Sequence, residues 1–137
     1  MNTVFTNGCF DILHVGHICL LQKCRSLSCG GKVIVGLNSD SSVKRLKGES
    51  RPINNQNDRK ILLESLKYVD EVIIFDEDTP ENLLSKIHPT ILVKGGDYSL
   101  EQIVGKQYAE KVVIFPYVDG KSTTSTIKKL SKSFSDR

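Results

Sequence analysis

The stretch VFTNGCFDILHVGH, residues 4–17, passes from an apolar run to a helix start within a few residues. Val4, Phe5 and Thr6 are β-prone and are followed by Asn7 and Gly8, which reads as a short first strand over residues 4–6 and its turn. From Val15 onward apolar residues recur near helical spacing, at Ile18, Leu20, Leu21, Cys24 and Leu27. That pattern predicts an amphipathic helix, closed by Cys29-Gly30-Gly31. Residues 32–38, KVIVGLN, then form a nearly continuous apolar run of strand length, as in a parallel strand covered on both faces.

The same alternation continues. The segment from residue 38 to residue 60 is polar and long for a bare connection, which marks a functional loop. A short helical turn is expected near residues 42–46, and Asn57 or Asp58 is placed to cap a helix over about residues 59–67. VDEVIIF, residues 69–75, reads as a third strand. A helix over about 81–87 follows and is stopped by His88-Pro89. ILVK, residues 91–94, is a fourth strand ending in Gly95-Gly96-Asp97; residues 101–109 are expected to be helical in part; KVVIFP, residues 111–116, is a fifth strand. A last helix over about 123–132 and a loose tail from about 133 complete the chain. Strands alternating with helices imply an α/β fold with a doubly wound, five-stranded parallel sheet, Rossmann-like, whose ligands bind at the carboxyl ends of the strands.

At 137 residues the chain reads as one domain, 1–137, large enough to bury a core without disulfides or a structural metal. Apolar residues make up 39% and charged residues 26%, the balance of an ordinary soluble globular protein. The formal net charge of +3 is mild and scattered, which suits small anionic substrates and not nucleic acid. No apolar run is long enough to span a bilayer and the start lacks a signal-peptide pattern, so the expected setting is cytoplasmic, away from membranes. Four cysteines, Cys9, Cys19, Cys24 and Cys29, form no C-x-x-C pair, which argues against a zinc ribbon. They read as buried or half-buried free thiols.

Polar clusters follow the carboxyl ends of four expected strands, at residues 6–17, 38–51, 94–98 and 117–124. The first and last open helices, whose free N–H groups and macrodipole attract anions. The second supplies Lys44, Arg45, Lys47 and Arg51, and Gly95, Gly96 and Gly120 allow a ligand to approach the backbone closely. Together these describe a pocket for a polyanion. His14 and His17, two of only three histidines, stand at i and i+3 on the opening turn of the first helix, so their rings share a face. Gly16 between them leaves room for a ligand. Helix dipole and paired imidazoles suit a phosphate that gains charge in a transition state. A metal pair would favour i,i+4 spacing and a nearby carboxylate, both missing here. The third histidine, His88, reads as structural or exposed. The run KRLKGESR has a solvated charged face as its alternative reading, and one residue of 122–126 is expected to serve as a helix cap.

GCFDILHVGH resembles the G-x-F-D-x-x-H-x-G-H signature of the cytidylyltransferase-like nucleotidyltransferases, and Ser122-Thr123-Thr124 resembles their second signature, I-S-T-T. NSDSSVKRLKGESRP, KYVDEVIIFDEDTP, ILVKGGDY and DGKSTTSTIKKL are similar to the adenylyltransferase branch that makes ADP-heptose, and the resemblance covers about residues 3–130. It implies that D-glycero-β-D-manno-heptose 1-phosphate attacks the α-phosphorus of ATP, releasing pyrophosphate, with Mg²⁺ on the triphosphate and no metal held by the protein alone. A sugar phosphate is already ionised, so such a site must supply alignment and charge stabilisation and needs no general base.

The resemblance also implies the roles. His14, His17 and Lys44 are the catalytic set, the histidines holding the triphosphate. Cys9, Phe10 and Gly16 approach the nucleotide through their backbone, Lys47 neutralises phosphate, Gly95 lies beside the nucleotide, and Lys94 and Asp97 lie beside the nucleotide or the sugar. Gly120, Ser122, Thr123 and Thr124 bind the β- and γ-phosphates. Asp11 orients the signature turn and belongs with Asp40, Lys44 and Arg51 to the sugar-phosphate side. A homodimer with residues 68–72 near the contact is implied as well, and the heptose phosphate is expected to come from another protein. The related glycerol-3-phosphate cytidylyltransferases, the alternative reading, carry R-x-x-G-I-S-T-T, where this chain has Tyr117 in the arginine position.

Overall fold

In the computed structural model, which describes residues 1–96 and 99–116, strands and helices alternate along the chain. β1 (Thr3–Gly8) leads to α1 (Val15–Ser28) and β2 (Lys32–Asn38). Two helices, α2 (Asp40–Lys47) and α3 (Gln56–Glu64), precede β3 (Glu71–Phe75). α4 (Glu81–Ile87), β4 (Ile91–Gly95) and β5 (Lys111–Phe115) follow. The strands form one parallel sheet in the order β3-β2-β1-β4-β5. The order reverses between β1 and β4, so the carboxyl ends of those two strands flank the switch point where open α/β sheets bind ligands.

Alternation along each strand builds two cores. Val4, Val33, Val35 and Val93 pack on one face with Leu20, Leu21 and Cys24 of α1 and Leu63 of α3. Phe5, Ile34 and Leu92 pack on the other with Leu84 of α4 and Ile103. The expected five-stranded, doubly wound sheet is therefore present.

The differences lie at element ends. α3 begins earlier than the expected 59–67 because Asn55, not Asn57 or Asp58, caps it, its Oδ1 accepting the Asp58 N–H at 2.9 Å. It stops at Ser65, whose hydroxyl donates back to the Ile61 carbonyl at 2.7 Å. β3 starts at Glu71, not at residue 69, because Asp70 spends its side chain on the ladder, accepting the Val33 N–H and the Arg25 guanidinium, both at 2.7 Å. The turn expected at 42–46 is a full helix from Asp40, capped by Ser39. Residues 101–109 hold two single 3-10 turns, Leu100–Gln102 and Lys106–Tyr108, with left-handed Gly105 (φ 85°) between them. The four cysteines are unpaired, but Cys29 is exposed, contrary to the expected burial, because it is the left-handed residue (φ 49°) that ends α1. His88 ends α4 in the same conformation and meets the Tyr108 ring edge-on. The expected last helix and tail lie outside the described residues.

Candidate active site

Between β1 and α1 the chain makes a tight, well-tied turn. Phe10 adopts a left-handed backbone (φ 45°), uncommon for an aromatic residue, and buries its ring against His17 at 5.1 Å between centroids. The same ring lies against Gly8, where a Cβ would come within 3.1 Å of it. The F of the signature is thus the floor of the turn.

The two histidines cap α1 reciprocally. His14 is the N-cap and its Nδ1 accepts the Gly16 N–H at 3.0 Å; His17 sits one turn on and its Nδ1 accepts the His14 N–H at 3.3 Å. Their rings stack with centroids 3.9 Å apart. A neutral imidazole whose Nδ1 accepts must carry its proton on Nε2, so both rings are set as Nε2–H donors. Burial, reinforced by His14, pushes the His17 pKa down to about 4, which keeps that ring neutral. One expectation changes here. The N–H groups of Gly16 and His17 are already given to His14, to Nδ1 and to the carbonyl oxygen. An anion at α1 therefore meets imidazole donors and the helix dipole more than free backbone amides.

Asp11 lies beneath this turn, almost fully buried, and ties it to the loop before α3. Its carboxylate accepts the N–H groups of Ile53 and Asn54 at 2.8 and 2.9 Å and Arg51 Nε at 2.8 Å. Asn54 donates its side-chain amide to the Asp11 carbonyl in return. Burial by itself raises the Asp11 pKa, but the Asn54 and Ile53 amides and Arg51 outweigh it and hold the carboxyl below its usual range. Asp11 and Arg51, both expected on the sugar-phosphate side, thus face each other, with the Arg51 side chain only 11% exposed.

Asp40 is likewise engaged, by the Arg59 guanidinium at 2.9 Å. Lys44 stands one turn further along α2, exposed. With Asp40, Pro52, Ile53, Asn54, Asn55 and Asp58 it lines an open, polar groove of roughly 260 Å³. Arg45 turns the other way, to Asp78 at 2.9 Å and to the Asp76 carbonyl.

Cys9 is the meeting point of positive charge. Burial raises its thiol pKa, while Lys47, Arg59 and Arg51 oppose that rise. Lys94, at the end of β4, is half-buried near the same thiol, and burial depresses its pKa. Arg51 and Arg59 act on this thiol as members of ion pairs, with Asp11 and Asp40, and Lys47 adds positive charge from α2. At Gly95 an added Cβ would make ordinary contact with Leu20, at 3.6 Å. Asp97, Gly120, Ser122, Thr123 and Thr124 lie outside the described residues.

Sequence reasoning missed Arg59 and Asn54. Arg59 sits in the polar run NQNDRK, where it opens the helix expected over about residues 59–67 and has no expected role in the site. One signal was available: a cation in the first turn of a helix opposes the macrodipole and needs a compensating reason.

The cytidylyltransferase-like family matches residues 5–129. The chain belongs to that family. Two bifunctional HldE proteins are similar to this cytidylyltransferase-like chain. That of Aliarcobacter butzleri is 57% identical over 130 residues, covering 95% of this chain and 27% of its own length. That of Campylobacter concisus is 55% identical over 133 residues, covering 97% and 28%. The chain thus spans about a quarter of the length of these relatives. Among solved structures, the lipopolysaccharide core biosynthesis protein of Thermoplasma volcanium superposes with a TM-score of 0.69 at 27% identity, over 85% of this chain and 98% of that one. Among the described residues of this cytidylyltransferase-like chain, no helix is long and apolar enough to cross a membrane.

Proposed function

We propose that this chain is an adenylyltransferase that transfers AMP from ATP to D-glycero-β-D-manno-heptose 1-phosphate, giving ADP-heptose and pyrophosphate for a lipopolysaccharide or related glycan. The observation that carries the reading is the stacked His14–His17 pair, both rings set as Nε2–H donors at the carboxyl end of β1. The motif set shared with the ADP-heptose branch, and relatives called bifunctional that this chain matches over one part only, support the choice of substrates.

In this mechanism a phosphate oxygen of the sugar 1-phosphate attacks the α-phosphorus. The bond from that phosphorus to the oxygen bridging to the β-phosphate breaks, and pyrophosphate leaves. His14 and His17 donate to oxygens whose charge grows along that path. Lys44 and Lys47 orient and neutralise the acceptor phosphate and the nucleotide, and Lys94 lies on the nucleotide side. Gly120, Ser122, Thr123 and Thr124 bind the departing β- and γ-phosphates, and Asp97 lies beside the nucleotide. Among the described residues no three His, Cys, Asp or Glu side chains converge as a metal cage. Mg²⁺ on the triphosphate would keep mainly water and phosphate oxygens as ligands and take few from protein. The cation supplies charge neutralisation of the triphosphate.

The chain works as a single domain, 1–137, in the cytoplasm and as a homodimer. Unpaired cysteines support the reducing compartment, and the exposed Ile61 and Leu62 on α3, leading toward residues 68–72, support the contact. A panel of nucleotides crossed with sugar and polyol phosphates, scored by pyrophosphate release, tests the assignment. ATP with heptose 1-phosphate is expected to give the fastest release. Turnover only on CTP with glycerol 3-phosphate would overturn it, and ATP binding without turnover on any acceptor would mark a binding module instead.

A further inference from the structure

We infer that Arg59 is a positioning residue that locks the nucleotide-side turn, residues 9–11, against the acceptor-side segments at residues 38–40 and 51–55. The inference rests on the proposed function for its kinetic arm. Arg59 is the bulkiest side chain with no exposed surface among the described residues. Its guanidinium makes four hydrogen bonds to four places in the chain. Nη1 donates to the Cys9 carbonyl at 2.7 Å and to the Asn38 carbonyl at 2.8 Å. Nε donates to the Asn54 carbonyl at 2.9 Å, and Nη2 to Asp40 Oδ1 at 2.9 Å.

Those four acceptors fall in three segments that border the site. Cys9 precedes the Phe10–Asp11 turn on which His14 and His17 are built. Asn38 ends β2, and its amide bonds Ser42 in α2 at 3.0 Å, in the helix that carries Lys44 and Lys47. Asn54 and Asp40 line the groove beside Lys44. Asp11 closes the same ring from the other side by holding Ile53 and Asn54. In-line displacement depends on two substrates meeting at a fixed distance, and a misplacement of about 1 Å costs roughly a hundredfold in rate. A planar fork with fixed donors sets such a distance; a lysine, with one nitrogen on a flexible stem, reaches one or two of the four acceptors.

The ion pair with Asp40 alone would not need full burial. Burying a charge costs several kcal/mol unless hydrogen bonds compensate, and three of these four go to backbone carbonyls that a surface arginine would leave to water. The arrangement holds backbone in place and does not offer the charge to a ligand.

The test compares wild type with Arg59→Lys below the melting temperature of both. Arg59→Lys is expected to lower kcat by about 10- to 100-fold and to raise KM for the sugar phosphate, with KM for ATP changed less than about threefold. Amide hydrogen exchange at Ile53 and Asn54 should speed up at least about tenfold while the amides of β1, β2 and β4 keep wild-type rates. Wild-type kcat in the variant overturns the proposal. So does faster exchange across the whole sheet, which would make Arg59 a general stabiliser, or a lower kcat with unchanged exchange at residues 53–54. A wild-type enzyme inactive on every sugar phosphate sinks the proposed function instead; the exchange at Ile53 and Asn54 then decides the Arg59 role by itself.

Discussion

At the scale of single residues, His14 and His17 each do two things with one ring. Nδ1 closes the helix cap, which puts the ring proton on Nε2, so the capping bond fixes the tautomer that phosphate binding needs. An alanine at either position removes both roles, and a loss of activity would mix the two. Asparagine separates them at residue 14, because it is among the best N-caps and its side-chain oxygen can accept the Gly16 N–H in place of Nδ1. His14→Asn is expected to melt within a few degrees of wild type yet lose about 10²- to 10³-fold in kcat, the usual cost of one transition-state donor. His14→Ala should show a similar kinetic loss plus about 1 kcal/mol of lost stability. For His17→Ala a kinetic loss of the same size is expected. Pyrophosphate release paired with thermal melts reads these outcomes; wild-type rates in His14→Asn and His17→Ala would remove the pair from the chemistry.

At the scale of elements, β2 shows how closely the sheet is fitted. Gly36 lies where an added Cβ would come within 2.6 Å of the Phe5 ring, which is fully buried between the sheet and α4. Gly36→Ala must displace that ring, and overpacking of this kind costs about 1–3 kcal/mol. A lower urea midpoint at unchanged slope is the expected result; a midpoint equal to wild type would mean the ring has room to move. The strands were legible in the sequence because parallel strands buried on both faces need unbroken apolar runs, and KVIVGLN and ILVK are such runs. Element ends were less legible. Asn55, Asn57 and Asp58 are all good caps, and no local signal singles out Asn55, whose Oδ1 takes the Asp58 N–H. Asp70 left β3 because its carboxylate found the Val33 N–H, a partner 37 residues away. The histidine pair was legible from spacing, since both its partners lie within three residues. Asp11 reaches Arg51, Ile53 and Asn54 over 40 to 43 residues, and Arg59 reaches Asp40, Asn38 and Cys9 over 19, 21 and 50, separations that leave no local pattern.

At the scale of the whole molecule, the groups that hold the site together also set how the fold responds to acid. His17 has a folded pKa of about 4 against 6.5 for the free side chain. The unfolded chain therefore takes up a proton, between those values, that the folded chain refuses. The resulting stability is fully present above pH 6.5 and is lost as pH falls toward 4, by at most about 3 kcal/mol. Asp11 works in a lower window. Its folded pKa is depressed below 3.8, so its contribution is present above that value and is lost only as pH falls through the folded pKa. The two windows scarcely overlap, and the acid response above pH 4.5 belongs to His17 alone of the pair. His17→Gln removes that titration. Between pH 7 and pH 4.5 the wild type is expected to lose about 2 kcal/mol more unfolding free energy than His17→Gln, read from urea midpoints at each pH. Equal losses would show that His17 is as free to protonate in the fold as in the unfolded chain. The tight His14–His17 stack, and with it the neutral Nε2–H donor at residue 17, would then be wrong.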